Sequence, residues 1–248
     1  MIHNVKFNYK GVFYLFPKRY WFVFLIYVLM LIMTAVVPVI LYFGFGFDPL
    51  GAALYSNVVG FIIGPILVLL LMRQDLSQEK ITHPISAGRI IGWTALGVLL
   101  AWVMQALAVT IEIELFGIDP TSENTEVIVE MTRMNPIFLL IPAISAPILE
   151  ELIFRKILFG SLYKKFNFFW GALISSLIFG VLHMDLTHTL IYTTMGFVFA
   201  YLYVKTKRII VPIFVHMTLN TVAVLAQLID PEQLEQIQNN AMLIFFGG

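Results

Sequence analysis

Seven stretches of this chain are apolar over lengths that suit the interior of a lipid bilayer, and that single property leaves few folds open. A helix needs about 20 predominantly apolar residues to cross the hydrocarbon layer. Windows at 20–43, 52–72, 90–110, from 136 onward, 168–184, 190–204 and 209–228 are read as spans. Inside lipid every backbone N–H and C=O has to be satisfied internally. The period and length of these runs favour helices, so the expected fold is an all-α, polytopic transmembrane helical bundle of about seven spans. Hydrophobic residues make up 60% of the chain, charged residues only 12%, and the mean hydropathy is +0.90, beyond the range of ordinary soluble domains. The basic stretch 1–19 precedes an apolar run about twice the length of a signal-peptide core, without a small-x-small cleavage site, so the first span is expected to be retained.

Fifteen Lys and Arg balance fifteen Asp and Glu. With no basic excess there is no electrostatic footprint for nucleic acid. With no cysteine, disulfides, zinc-thiolate sites, iron–sulfur clusters and thiol catalysis are excluded. The zero net charge hides an asymmetry. Lys6, Lys10, Lys18 and Arg19 precede the first span; Arg73, Lys80 and Arg89 follow the second; Arg155, Lys156, Lys164 and Lys165 follow the fourth; Lys205, Lys207 and Arg208 follow the sixth. Only Arg133 falls on the opposite side, together with most of the acids. By the positive-inside rule the N-terminus is expected to be cytoplasmic and the C-terminus external, in a multi-pass integral membrane protein. Three regions are expected: a three-span region 1–135, a helical core 136–228, and a polar external tail 229–248, whose run 241–246 is too short to span. The polar stretch 111–135 reads as a short external helix or a loop.

An ionisable side chain inside a span costs roughly 2.5–3.5 kcal/mol on insertion scales and marks a functional site by default. The fourth span carries two, Glu150 and Glu151. At 3.6 residues per turn Glu151 and Arg155 share a face in the favourable order for an ion pair. Glu150 projects about 100° away with no partner on its own helix, a candidate general base. Phe179 and His183 on the fifth span, and His216 and Asn220 on the seventh, are likewise four residues apart and share faces. Pro147 cannot donate to the carbonyl of Ala143, which predicts a kink and a free acceptor near Glu150. Gly171, Ser175, Ser176 and Gly180 predict close helix packing.

Depth decides whether these groups meet. If the fourth span ends at Arg155, Glu150 lies about 7 Å from the membrane boundary and His183 about 27 Å, counting 1.5 Å per residue. If the helix continues to Tyr163 with Arg155 buried, the depths become about 21 Å for Glu150, 27 Å for His183, 12 Å for His216 and 18 Å for Asn220. Only the second arrangement assembles a site.

Glu150-Glu151-x-x-x-Arg155, Phe179-x-x-x-His183 and His216-x-x-x-Asn220, in this order on three hydrophobic helices, resemble the three signatures of the CPBP intramembrane proteases, the CAAX-protease and bacteriocin-processing family whose shared region is also called the ABI domain. The resemblance covers residues 136–228. It implies a membrane-embedded endopeptidase in which Glu150 activates water, His183 helps to bind or orient it, and His216 with Asn220 stabilises the oxyanion. Glu151, Arg155 and Phe179 support the site. The family label is metalloprotease, and zinc on His183 and His216 with Glu150 is one reading; a metal-free glutamate mechanism is the other. The expected partners are membrane lipid and a peptide or membrane-anchored protein substrate. Bacterial members are associated with peptide maturation, bacteriocin self-immunity and surface-protein regulation.

Other readings compete. A single intramembrane histidine or asparagine also serves as interhelical hydrogen-bonding glue. A catalytically silent scaffold, regulator or immunity protein would use the same fold, although none of the three motifs is broken here. A transporter with a carboxylate–histidine relay is disfavoured by the lack of an internal repeat. Asp185 and His188 are expected to be solvated at an external helix end; the spacing of Tyr192 and Thr193 is compatible with facing the cavity but says nothing specific.

Overall fold

The computed structural model describes residues 17–229; the expectations for the extreme N-terminus and the tail lie outside them. Eight helices are present among the described residues: α1 (Lys18–Phe45), α2 (Pro49–Thr82), α3 (Ala87–Phe116), α4 (Glu123–Met134), α5 (Pro136–Lys165), α6 (Phe168–Leu182), α7 (Thr189–Thr206) and α8 (Ile210–Leu228). Five of them, α1, α2, α3, α5 and α8, are long and apolar enough to cross a membrane; α6 is a shorter apolar helix, and α7 has 18 residues. The chain is a multi-pass integral membrane protein. The stretch expected as external helix or loop contains α4.

Local chemistry sets the helix ends. Asp48 caps α2, accepting from Leu50 N–H (3.1 Å) and Gly51 N–H (2.9 Å), with Pro49 in the first turn, where a missing N–H costs nothing. Ser86, Ser122 and Asn167 cap α3, α4 and α6 in the same way. At the C-terminal ends of α1 and α3 the chain turns through positive φ at Gly46 (72°) and Gly117 (65°), where a Cβ would be strained. The second helix runs ten residues past the apolar window, to Thr82, because its last three turns are polar and find partners at the basic end of the bundle.

That end is held by Glu79. Its carboxylate accepts from Lys156, from the Ile209 N–H (2.8 Å) and from the Tyr203 hydroxyl (3.4 Å), and lies 3.7 Å from Arg208 Nε. Arg208 also donates to the carbonyl of His83 (3.2 Å). Helices α2, α5, α7 and the start of α8 thus meet on one buried acid. Lys156, like Arg155, lies inside α5 and is buried, so neither belongs to the loop with which its charge was counted.

At the centre is α5, the most enclosed of the long helices. Leu149, Leu152, Ile153, Phe154 and Ile157 pack against Val23 and Tyr27 of α1, Val68 and Met72 of α2, and Phe179 of α6. Its path is not a uniform α-helix. After a 3-10 turn (Pro136–Leu139) it widens to π turns over Ile141–Ser145, returns to α over Ala146–Glu150, and widens again over Glu151–Phe159. Such wide turns recur at functional sites. They also move the effect of Pro147. With the Ala146 N–H bonded to Ile141 O, the carbonyl that Pro147 leaves without a main-chain donor is that of Pro142, not of Ala143 as α-helical spacing predicts.

The small residues of α6 act as expected. A Cβ on Gly196 of α7 would sit 3.1 Å from Ser176 Cα and closer still to its side chain, and one on Gly171 would meet the Tyr163 backbone at 3.1 Å.

Candidate active site

Three helices bring the motif residues together. Glu150, Glu151 and Arg155 come from the middle of α5, which continues to Lys165, so Arg155 is buried and the deeper of the two depth schemes is the one found. His183 follows the last residue of α6. Its Nδ1 donates to the carbonyl of Phe179 at 2.8 Å, one of the acceptors left orphaned at a helix end. The Phe-x-x-x-His spacing therefore has a structural origin, and it assigns the tautomer: a carbonyl only accepts, so Nδ1 carries the proton and Nε2 keeps its lone pair.

From α8, His216 donates through Nδ1 to Glu151 Oε1 (3.0 Å), and its Nε2 stands 3.7 Å from Glu150 Oε2. Glu151 turns its other oxygen toward Arg155 Nε at 3.4 Å. One carboxylate thus joins an imidazole to a guanidinium, with Glu151 0% and Arg155 1% exposed. The expectation that Glu151 and Arg155 satisfy only each other is therefore too simple. The guanidinium is flanked by the rings of Phe179 (4.2 Å), Phe199 (5.2 Å) and Phe154 (5.9 Å), which stabilise a cation where water is scarce. The ring of Phe199 also stacks on His216 at 4.8 Å. Asn220, one turn beyond His216, donates through Nδ2 to the carbonyl of Pro142 (3.1 Å), the acceptor freed by Pro147.

Glu150, His183, His216 and Asn220 all line one cavity of about 1040 Å³, whereas Glu151 and Arg155 stand behind its wall. Phe154, Phe179 and Tyr192 complete the wall around the polar groups, and α3 and α4 form the outer side; Thr193 is not among the lining residues. Among the described residues, no group of three His, Cys, Asp or Glu side chains stands close enough together to hold a metal ion.

Two residues expected to be solvated are not. Asp185 accepts from Ser122 Oγ (2.7 Å), Thr187 Oγ1 (3.0 Å) and the Tyr192 hydroxyl (3.4 Å), and His188 lies between the Glu112 carboxylate (Nδ1, 2.8 Å) and the Thr121 carbonyl (Nε2, 3.1 Å). Both are buried because the 117–122 connection and the end of α3 fold over them. Both His188 nitrogens face acceptors, which demands the doubly protonated ring. Burial works against that charge, but the bonds to Glu112 and Thr121 outweigh it and hold the pKa above the usual histidine value.

The family described as Type II CAAX prenyl endopeptidase Rce1-like matches residues 132–222, the stretch that contains all three motifs. YdiL of Bacillus subtilis, whose name calls it a membrane peptidase, is 41% identical over 241 residues, covering 93% of this chain and 98% of its own. MroQ of Staphylococcus aureus, named as a membrane-embedded CAAX protease, is 32% identical over 208 residues, covering 81% of this chain and 84% of its own. No solved structure shows a significant match. With Glu150, His183, His216 and Asn220 on one cavity and the two relatives matched over 98% and 84% of their own length, the chain belongs to the Rce1-like CAAX endopeptidase family of membrane proteases.

Proposed function

We propose that the protein hydrolyses a peptide bond of a membrane-associated peptide or protein inside this cavity, with Glu150 as general base. The observation that carries the reading is the convergence of Glu150, His183, His216 and Asn220 from three helices on one cavity, with Glu151 holding His216 from behind. A water between Glu150 and His183 gives one proton to the Glu150 carboxylate and is oriented by a second hydrogen bond to His183 Nε2. Its oxygen bonds to the scissile carbonyl carbon. The developing oxyanion is met by the Asn220 amide and by Nε2–H of His216 in its imidazolium form. Before the proton moves, two carboxylates, one guanidinium and one imidazolium sum to zero charge, the condition for burying four ionised groups together. When the C–N bond breaks, Glu150 returns its proton to the leaving amine.

The test uses protein reconstituted in liposomes and a library of internally quenched peptides, including lipidated ones, since the family's description names a prenylated substrate. Glu150→Ala is expected to lower kcat by about 10²–10⁴, and His216→Ala by about 10²–10³. Exhaustive chelation is expected to leave activity intact; activity lost on chelation and restored by zinc would reinstate the metal reading. A silent scaffold predicts that both variants match wild type in every assay, and that result sinks the proposal.

A further inference from the structure

The catalytic groups leave one arrangement beside them without a role. Tyr192, in the first turn of α7, lies almost flat on the His183 imidazole, with centroids 4.2 Å apart and planes 26° from parallel. The ring of Phe179 meets His183 at 4.4 Å and 67°. The Tyr192 hydroxyl donates to Asp185 Oδ2 (3.4 Å), the same oxygen that accepts from Ser122 Oγ (2.7 Å), and Asp185 is buried. Ser122 is also the cap of α4, receiving the Thr125 N–H at 3.3 Å.

These contacts do what the tautomer bond alone does not. A ring held at Nδ1 by the Phe179 carbonyl alone can still rock about its Cβ–Cγ bond, tilting Nε2 within the cavity. A second ring pressed on its face removes the rotation, provided that ring is itself fixed, and Asp185 fixes it. We infer that Tyr192, held by Asp185, is a positioning residue for His183, and that through Ser122 the outer wall of the cavity is tied to the same imidazole. The inference rests on the protease reading for its kinetic consequence and on geometry alone for its spectroscopic one.

The experiment compares wild type with Tyr192→Phe, Tyr192→Leu and Asp185→Asn. In histidine-¹⁵N-labelled protein in micelles, the His183 signal, assigned by its loss in His183→Gln, is expected to show a single Nδ1-protonated tautomer. Tyr192→Leu should keep that tautomer but shift and broaden the ring signals as the imidazole loses its fixed orientation, and Tyr192→Phe, which keeps the ring but not its tether, should change them less. On a peptide whose cleavage depends on Glu150, Tyr192→Leu should lower kcat by about 10–100-fold with KM almost unaltered, the scale of a misplaced catalytic group. Tyr192→Phe and Asp185→Asn, which keep the ring but remove or weaken its tether, should each lose only a few-fold. If Tyr192→Leu fails to fold, Asp185→Asn carries the test. An unchanged His183 spectrum in the variants, a loss confined to KM, or a Phe variant as impaired as the Leu variant overturns the inference. Cleavage that survives Glu150→Ala overturns the protease reading instead and leaves the nitrogen spectrum to decide the positioning role.

Discussion

Replacing Arg155 by methionine tests how the buried charges of the site are held. The guanidinium is 1% exposed, 3.4 Å from a Glu151 carboxylate that is 0% exposed. Breaking a buried pair by removing one partner costs about 3–5 kcal/mol, because the other charge is left uncompensated. Glu151 keeps one donor, His216 Nδ1 at 3.0 Å, and methionine refills much of the space among Phe154, Phe179 and Phe199. The low end, about 3 kcal/mol, is therefore expected. For a chain of this size that corresponds to a fall in Tm of roughly 6–12 °C, read by thermal denaturation in detergent. The double variant Arg155→Met with Glu151→Gln removes the orphaned charge and keeps an amide oxygen for His216, so it should return to within about 1 kcal/mol of wild type. Arg19→Met is the control: its ion pair with Asp75 has a side chain 40% exposed, and such pairs are worth about 0–1 kcal/mol. If Arg155→Met lowers Tm no more than Arg19→Met, or if the double variant is as unstable as the single one, the reasoning about this cluster is wrong.

Two further outcomes follow from the packing and the acidic end of the bundle. Gly196→Ala forces a Cβ against the Ser176 backbone at 3.1 Å and should cost about 1–3 kcal/mol, with Ser176→Ala in the same chain relieving part of it, measured by the same melts. His188 has a folded pKa above its unfolded value near 6.5, so its contribution is complete below that pH and is lost as pH rises through the folded pKa. Hydrogen-exchange protection of the 117–122 connection should therefore fall as pH rises above the ordinary histidine value in wild type and stay flat in His188→Gln; parallel profiles would contradict the assignment.

The parts of the site that could be read in advance were those whose geometry is local. The i,i+4 spacing of Glu151 and Arg155, and of His216 and Asn220, places each pair on one helix face whatever the tertiary fold does. Phe179 and His183 belong here too, since their link is a helix-end hydrogen bond. What escaped was non-local. Asp185 and His188 stand in a short polar connection that reads as solvated. Their burial depends on Ser122, 63 residues away, and on Glu112, 76 residues away. The same holds at the opposite end, where the partners of Glu79, Lys156 and Arg208, are 77 and 129 positions on. The misplaced free carbonyl has a different cause: counting four residues back from Pro147 assumes α turns, and no residue in 141–145 announces that the chain closes five.

The wide turns of α5 also bear on how the protein reaches the membrane. Two main-chain carbonyls of this helix accept from side chains elsewhere, Pro142 from Asn220 of α8 and Phe154 from Ser175 of α6 at 2.7 Å. In hydrocarbon an unmet carbonyl costs several kcal/mol, and α5 also carries two carboxylates and two cations between Glu150 and Lys156. The apolar windows of the first three helices hold no charged side chain, so each can be delivered to lipid singly. The fifth cannot, so during synthesis it has to wait, sheltered by the insertion machinery or by water, until α6 and α8 have been made. The segment that carries the chemistry is thus the last to settle although it is not the last to be translated.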